Sequence, residues 1–367
     1  MKFISIVALT AALLSTPAVA ATPVVTPVGD APSDLTALAP HVGGRVLKTA
    51  DGYSYQWPGT YFEAAFVGQV VYFKVGTGDQ DLHVSIDGEP AAPLVKPAPG
   101  LYAIANLAPG RHIVRLEVVN ESQAGPDSFG GFAIGAGETP TALPPRPHQI
   151  EFIGDSHTVG YGNTSTTRNC TTDDVWRTTD NSQAFAPLMA GRYNADYQVN
   201  AISGHGIVRN YNGFAGDPVP VAYPFVLLDH NTVYKDDSWQ PQVIVIALGT
   251  NDFTTALHDG EKWTTRDQLH ADYEATYGAF LKGLRAHNPK AYFILWATDM
   301  AGGEIATEEQ KVVDSARAAG DSRITFIAMN GLAMAGCHFH PSADDDKVIA
   351  ARLEAIIDAK PDVWQGQ

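Results

Sequence analysis

At 367 residues the chain is long enough for two hydrophobic cores, since a domain usually takes roughly 100–200 residues. Its 40 acidic side chains outnumber 24 basic ones, for a formal net charge of −16. That balance argues against a nucleic-acid partner, whose binding needs Lys and Arg to displace counterions, and it disfavours acidic substrates; most of the carboxylates read as solubilising charge.

The chain opens with Lys2, the apolar run FISIVALTAALL, Pro17 and the small residues Ala18, Val19 and Ala20. These are the n-region, h-region and cleavage site of a secretory signal over residues 1–20, with Ala21 the first mature residue. The run is shorter than the roughly 20 residues that cross a bilayer, and no later segment is apolar for long enough. A soluble, secreted or periplasmic protein without membrane insertion is expected.

Residues 43 to 135 run in short alternating apolar stretches: YSYQW, YFEAAFV, VVYFKV, LHVSID, LYAIANL, HIVRLEVV and FGGFAI. Turn signals such as Pro58-Gly59, Asp87-Gly88 and Pro109-Gly110 separate them. The spacing predicts an antiparallel β-sandwich over residues 21–138. The stretch TPTALPPRPH, residues 139–148, carries four prolines and is expected to hold neither ladder nor helix, so it reads as a stiff linker.

Beyond it, the nearly continuous apolar runs QIEFI (149–153), YQVNAI (197–202), VIVIAL (243–248), AYFILWA (291–297) and RITFIA (323–328) suit a parallel sheet buried on both faces. Helices are predicted between them. RDQLHADYEATYGAFLKGLRAH lays Leu269, Tyr273, Tyr277, Phe280, Leu281 and Leu284 on one face, and TEEQKVVDSARAAG opens on a Thr307-x-x-Gln310 capping box. The last helix is expected to be capped by Ser342 with Asp345, and to turn Val348, Ile349, Leu353, Ile356 and Ile357 inward. Residues 149–367 therefore read as a three-layer α/β/α domain.

In an open parallel sheet the crevice lies at the carboxyl ends of the strands. Gly154-Asp155-Ser156 follows the first run, Ser203-Gly204-His205-Gly206 the second and Gly249-Thr250-Asn251-Asp252 the third, while Cys337-His338-Phe339-His340-Pro341 precedes the last helix. Each block alone is ordinary turn or cap chemistry. In this order, each at an element boundary, they supply acyl transfer: Ser156 as nucleophile, His340 as the base that activates it, and the Ser156 N–H, the Gly204 N–H and the Asn251 amide as donors to the oxyanion. Trp176, Tyr211, Trp239 and Trp263 lie in or near loops and are more often packing than sugar platforms, so none is taken as a subsite. Cys170 and Cys337, the only cysteines, are a disulfide candidate in an oxidising compartment; a zinc site would need further ligands at short spacing, so no metal is expected.

FIGDSHTVGYG, ISGHGIVRNY, VIALGTND and GCHFHPS resemble the successive blocks of the SGNH, or GDSL, hydrolases, and GYGN, SGxGxxRNY and GCxxHPS resemble carbohydrate esterase family 2 more narrowly. WPGTYFEAAFVG, VSIDG and LAPGRHIVRL resemble that family's jelly-roll domain. The likeness covers nearly the whole mature chain. It implies a jelly roll followed by an SGNH catalytic domain, with Ser156 as nucleophile, Gly204 and Asn251 in the oxyanion hole and His340 as base, and no cofactor. It also implies removal of acetyl groups from polysaccharides or oligosaccharides such as xylan and glucomannan; the chain is expected to be a monomer.

The sequence departs from the family at one place. Where members with a full triad carry an acid two residues before the histidine, this chain has His338, and the commoner spacing of three points to Cys337. A Ser-His dyad with the imidazole held by a backbone carbonyl is expected, with Asp299 a weaker alternative; a Cys170–Cys337 disulfide would brace the loop bearing His340. His157 and His205 are read as packed or cleft-lining. A non-catalytic glycan-binding descendant, a general short-chain or lipid esterase and an acetyl transferase remain the alternative functions.

Overall fold

The computed structural model describes residues 22–365, so the secretory signal expected at residues 1–20 lies outside the described residues. The first half folds as two antiparallel sheets packed face to face. One has seven strands, with Val24–Pro27, Gly100–Ala105, Val71–Val75, Asp127–Ile134, Gly52–Tyr55 and Val46–Thr49 in spatial order and Thr36–Leu38 beside Asp127–Ile134. The other has six, with Thr139–Thr141, Tyr61–Gly68, Gly110–Val118, Asp81–Ile86 and Glu89–Val95 in order and His41–Gly43 beside Tyr61–Gly68. Alternation puts Phe62, Phe66, Phe73, Val84, Leu116 and Phe129 into the core between them.

Thr139–Thr141 corrects the expectation that the proline-rich stretch holds no ladder, because these residues pair with Val67, Phe66 and Ala65. Their strand is the sheet edge, where Pro140 can present its missing donor outward. Glu89–Val95, a second edge strand unrecognised in the sequence, tolerates Pro90 and Pro93 in the same way.

The second half is a parallel sheet of five strands, Ala195–Ala201, His148–Gly154, Val243–Ala247, Tyr292–Thr298 and Ile324–Met329 in spatial order. In chain order this is 2-1-3-4-5, so the order reverses beside the strand that leads to Ser156. Helices Phe185–Arg192 and Ala343–Asp358 cover one face, and Arg266–His287 and Glu304–Ala318 cover the other. Ser342 and Asp345 form the expected capping box. The helix assigned to Thr307 instead begins one turn earlier at Glu304, because the left-handed Gly303 starts it and the Thr307 hydroxyl donates to the Gly303 carbonyl. Val348, expected to face inward, is 40% exposed: it sits outside the stripe of Ile349, Leu353 and Ile357 that meets the sheet.

The two halves share a polar seam. Buried Arg45 of the sandwich reaches Glu151 at 3.2 Å and Gln198 at 3.3 Å, and lies over the Tyr223 ring. Trp57 packs on Ile202 and Ala222, which brings the sandwich beside the second crevice loop.

Candidate active site

Strand His148–Gly154 ends in the crevice, and Asp155 turns the chain there by accepting the His157 N–H at 3.0 Å. Ser156 thereby opens the single helical turn Ser156–Val159, with its side chain turned toward His340. His340 follows the turn Cys337–Phe339, in which His338 and Phe339 both have positive φ. A non-glycine residue there is costly and persists only when its surroundings hold it.

The surroundings do. Cys337 is bonded to Cys170, its N–H donates to the Gly162 carbonyl, and Gly162 lies so close that a Cβ would fall 2.4 Å from that of Cys337. The His338 N–H donates to the Arg168 carbonyl, and the Arg168 guanidinium donates to the carbonyls of Ala333 and Met334. The segment after Ser156 thus clamps the segment bearing His340.

His340 Nε2 lies 2.8 Å from Ser156 Oγ, and His340 Nδ1 lies 2.8 Å from the Cys337 carbonyl oxygen. A carbonyl only accepts, so Nδ1 carries the proton and Nε2 offers its lone pair to the serine hydroxyl. Loss of hydration beneath its neighbours lowers His340 to about 4, with the Cys337 carbonyl pulling the other way. Tyr161 packs on the imidazole with ring centroids 4.3 Å apart, and the buried His157 meets it edge-on at 5.4 Å. His157, driven to about 3 chiefly by burial and then by His340, is a packed neutral ring that also stacks on Trp296.

Neither Asp299 nor His338 reaches His340. Asp299 accepts the Gly331 N–H, and His338 turns away to bond the Cys170 carbonyl at 2.9 Å and the Tyr161 hydroxyl at 3.2 Å.

Ser203, Gly204 and His205 follow the second strand. The Gly204 carbonyl accepts the Tyr211 N–H, while the N–H groups of Ser156 and Gly204 donate to no group among the described residues. Gly204 has φ 85°, and a Cβ there would meet the Phe214 ring. Asn251 Nδ2 lies 3.1 Å from Asp155 Oδ2 and 2.9 Å from the His205 carbonyl, which join the first three crevice blocks through one amide. Both amide hydrogens are taken, so donating to a substrate oxygen requires one to be shared. Burial raises Asp155 to about 7, against the His157 N–H bond.

Three participants were missed in the sequence. Asp252 accepts the N–H groups of Ile207, Val208 and Arg209 and so holds the glycine turn in place. Tyr161 covers His340, and Phe214, 43% exposed, stands beside Gly204. Of the four loop aromatics, Tyr211 is exposed, Trp239 is half-buried, Trp263 is buried with its indole N–H on Asp272, and Trp176 lies under the Lys96 ammonium. Among the described residues no group of three His, Cys, Asp or Glu side chains is placed to hold a metal ion, and no helix is long and apolar enough to cross a membrane.

Residues 42–144 match the carbohydrate esterase 2 N-terminal family, and residues 152–352 match the GDSL-like lipase/acylhydrolase family. The chain is 45% identical over 330 residues to an acetylxylan esterase / glucomannan deacetylase of Cellvibrio japonicus, spanning 88% of this chain and 92% of that relative. It superposes with a TM-score of 0.85 and 43% identity on a carbohydrate esterase whose active site is described as displaying divergent catalytic and non-catalytic binding functions, over 90% of this chain and 100% of that one. A family two carbohydrate esterase from Clostridium thermocellum in complex with cellohexaose gives 0.78 and 27%, over 89% and 100%. The chain therefore belongs to carbohydrate esterase family 2, within the GDSL-like acylhydrolases, and is an ester hydrolase.

Proposed function

We propose that the protein is an exported carbohydrate O-acetyl esterase working through a Ser156–His340 dyad. The observation that carries this reading is the continuous chain from the Cys337 carbonyl through both nitrogens of His340 to Ser156 Oγ, each step 2.8 Å. Ser156 Oγ attacks the acetyl carbonyl carbon while His340 Nε2 takes its proton. The charge that develops on the carbonyl oxygen meets the N–H groups of Ser156 and Gly204, with Asn251 sharing one amide hydrogen. Collapse breaks the bond to the sugar oxygen, and His340 returns the proton to that oxygen. Water then attacks the acetyl-serine, His340 takes the water proton and hands it to Ser156, and acetate leaves.

The likeness to an acetylxylan esterase / glucomannan deacetylase points to acetylated xylan or glucomannan as substrate. Export agrees with the Cys170–Cys337 bond, which persists in oxidising compartments. The test is acetate release from acetylated xylan and glucomannan, beside 4-nitrophenyl esters of increasing chain length. Release from a polymer, and a rate that falls steeply beyond acetate, are expected. Equal rates on long-chain esters with none on the polymers would instead make it a general lipid esterase.

A further inference from the structure

The loop between strands Gly110–Val118 and Asp127–Ile134 belongs to the sandwich but touches the Ser203–Gly204 loop. Its base is rigid: buried Asn120 accepts the Asp81 N–H at 2.9 Å and donates to the Asp79 carbonyl at 3.0 Å. From there Gln123 Nε2 reaches across to the Ser203 carbonyl at 2.9 Å. The same nitrogen bonds Glu121 Oε1 at 3.0 Å, and that oxygen also accepts the Ser203 N–H at 2.7 Å.

The Ser203 carbonyl and the Gly204 N–H are the two ends of one peptide group. A trans peptide is planar, with its oxygen and hydrogen pointing in opposite directions, so fixing the oxygen fixes the aim of the N–H. At φ 85° Gly204 has no side chain to hold that plane from its own side. A hydrogen bond to the carbonyl also polarises the peptide and strengthens its N–H as a donor.

We propose that Gln123, anchored by Glu121, is a positioning residue for the reaction: the sandwich aims and polarises the Gly204 N–H at the oxyanion. This makes the sandwich part of the catalytic machinery rather than only a wall of the cleft. The inference rests on the assignment of Gly204 as an oxyanion donor made above.

Two variants test it. Gln123→Leu removes the donor, and Gln123→Glu keeps the length but replaces the donor by an acceptor; Gln123 is exposed, so neither disturbs a core. With 4-nitrophenyl acetate, kcat is expected to fall roughly tenfold in both while KM stays within about twofold. The inhibition constant of methylboronic acid, which forms a tetrahedral adduct on serine, should rise by a similar factor at unchanged melting temperature. A role confined to holding the halves together would lower the melting temperature and leave the boronate affinity alone. If kcat and boronate affinity stay within about twofold in both variants while Ser156→Ala abolishes turnover, the inference is overturned alone. Turnover surviving in Ser156→Ala would overturn the acyl-enzyme reading, and this inference with it.

Discussion

His340 receives its orientation from a neutral carbonyl, which adds no charge to stabilise an imidazolium, and its packing strips it of water. Its burial keeps it neutral well below the ordinary histidine value of about 6.5, against the upward pull of the Cys337 carbonyl. A general base works only when unprotonated, so kcat/KM should hold as pH falls through 6 and drop only near His340's value of about 4. A profile of kcat/KM between pH 3.5 and roughly 8 checks this, and an acid limb centred near about 6.5 would contradict it. Ser156 and His340 were legible in the sequence because their chemistry lies in their side chains, at element boundaries. The Cys337 carbonyl was legible only as a kind of group, since every residue carries one and no letter marks which will face the imidazole. Tyr161 and Asp252 were hidden for a different reason: their roles are contacts made across the crevice, with nothing in their spacing to announce them.

At the scale of elements, the turn that bears His340 is held in unfavourable backbone geometry by its neighbour rather than by its own sequence. The Cys170–Cys337 bond closes 167 residues of chain and ties that turn to the loop after Ser156. Replacing both cysteines by serine should cost about 2–4 kcal/mol of stability and lower kcat more than it raises KM, because the base loses its aim. Urea unfolding and steady-state kinetics of the double variant read the two effects; unchanged kcat at reduced stability would separate the bond from catalysis. The five parallel strands were legible as continuous apolar runs, whereas edge strands such as Glu89–Val95 were not, because proline is forbidden only where a neighbour waits on both sides. The early start at Glu304 escaped for want of a side-chain cap: Gly303 works through its backbone alone.

For the molecule as a whole, two units distinct in sequence pattern are joined by buried charge. Glu151 sits under the sandwich with Arg45, Asn200 and Tyr223 as its donors. Arg45→Ala should destabilise the protein by about 3–5 kcal/mol by leaving that carboxylate short of its cation, and Arg45→Met with Glu151→Leu should recover most of the loss. Thermal unfolding would check both, and an Arg45→Ala protein as stable as the unaltered one would show the seam to be dispensable. Composition changes at the proline-rich stretch made the two units legible, but pairings such as Arg45 with Glu151 join residues too far apart in sequence to be read there.

In the proposed reaction an acetyl group passes through Ser156. The most direct measurement is to quench the enzyme during turnover of 4-nitrophenyl acetate and locate the acyl group by peptide mass spectrometry, with Ser156→Ala and His340→Ala alongside. One acetyl group on Ser156, absent from the alanine variant and slow to form without His340, is the expected result. Undiminished turnover in Ser156→Ala, or acetyl found on another side chain instead, would contradict the account.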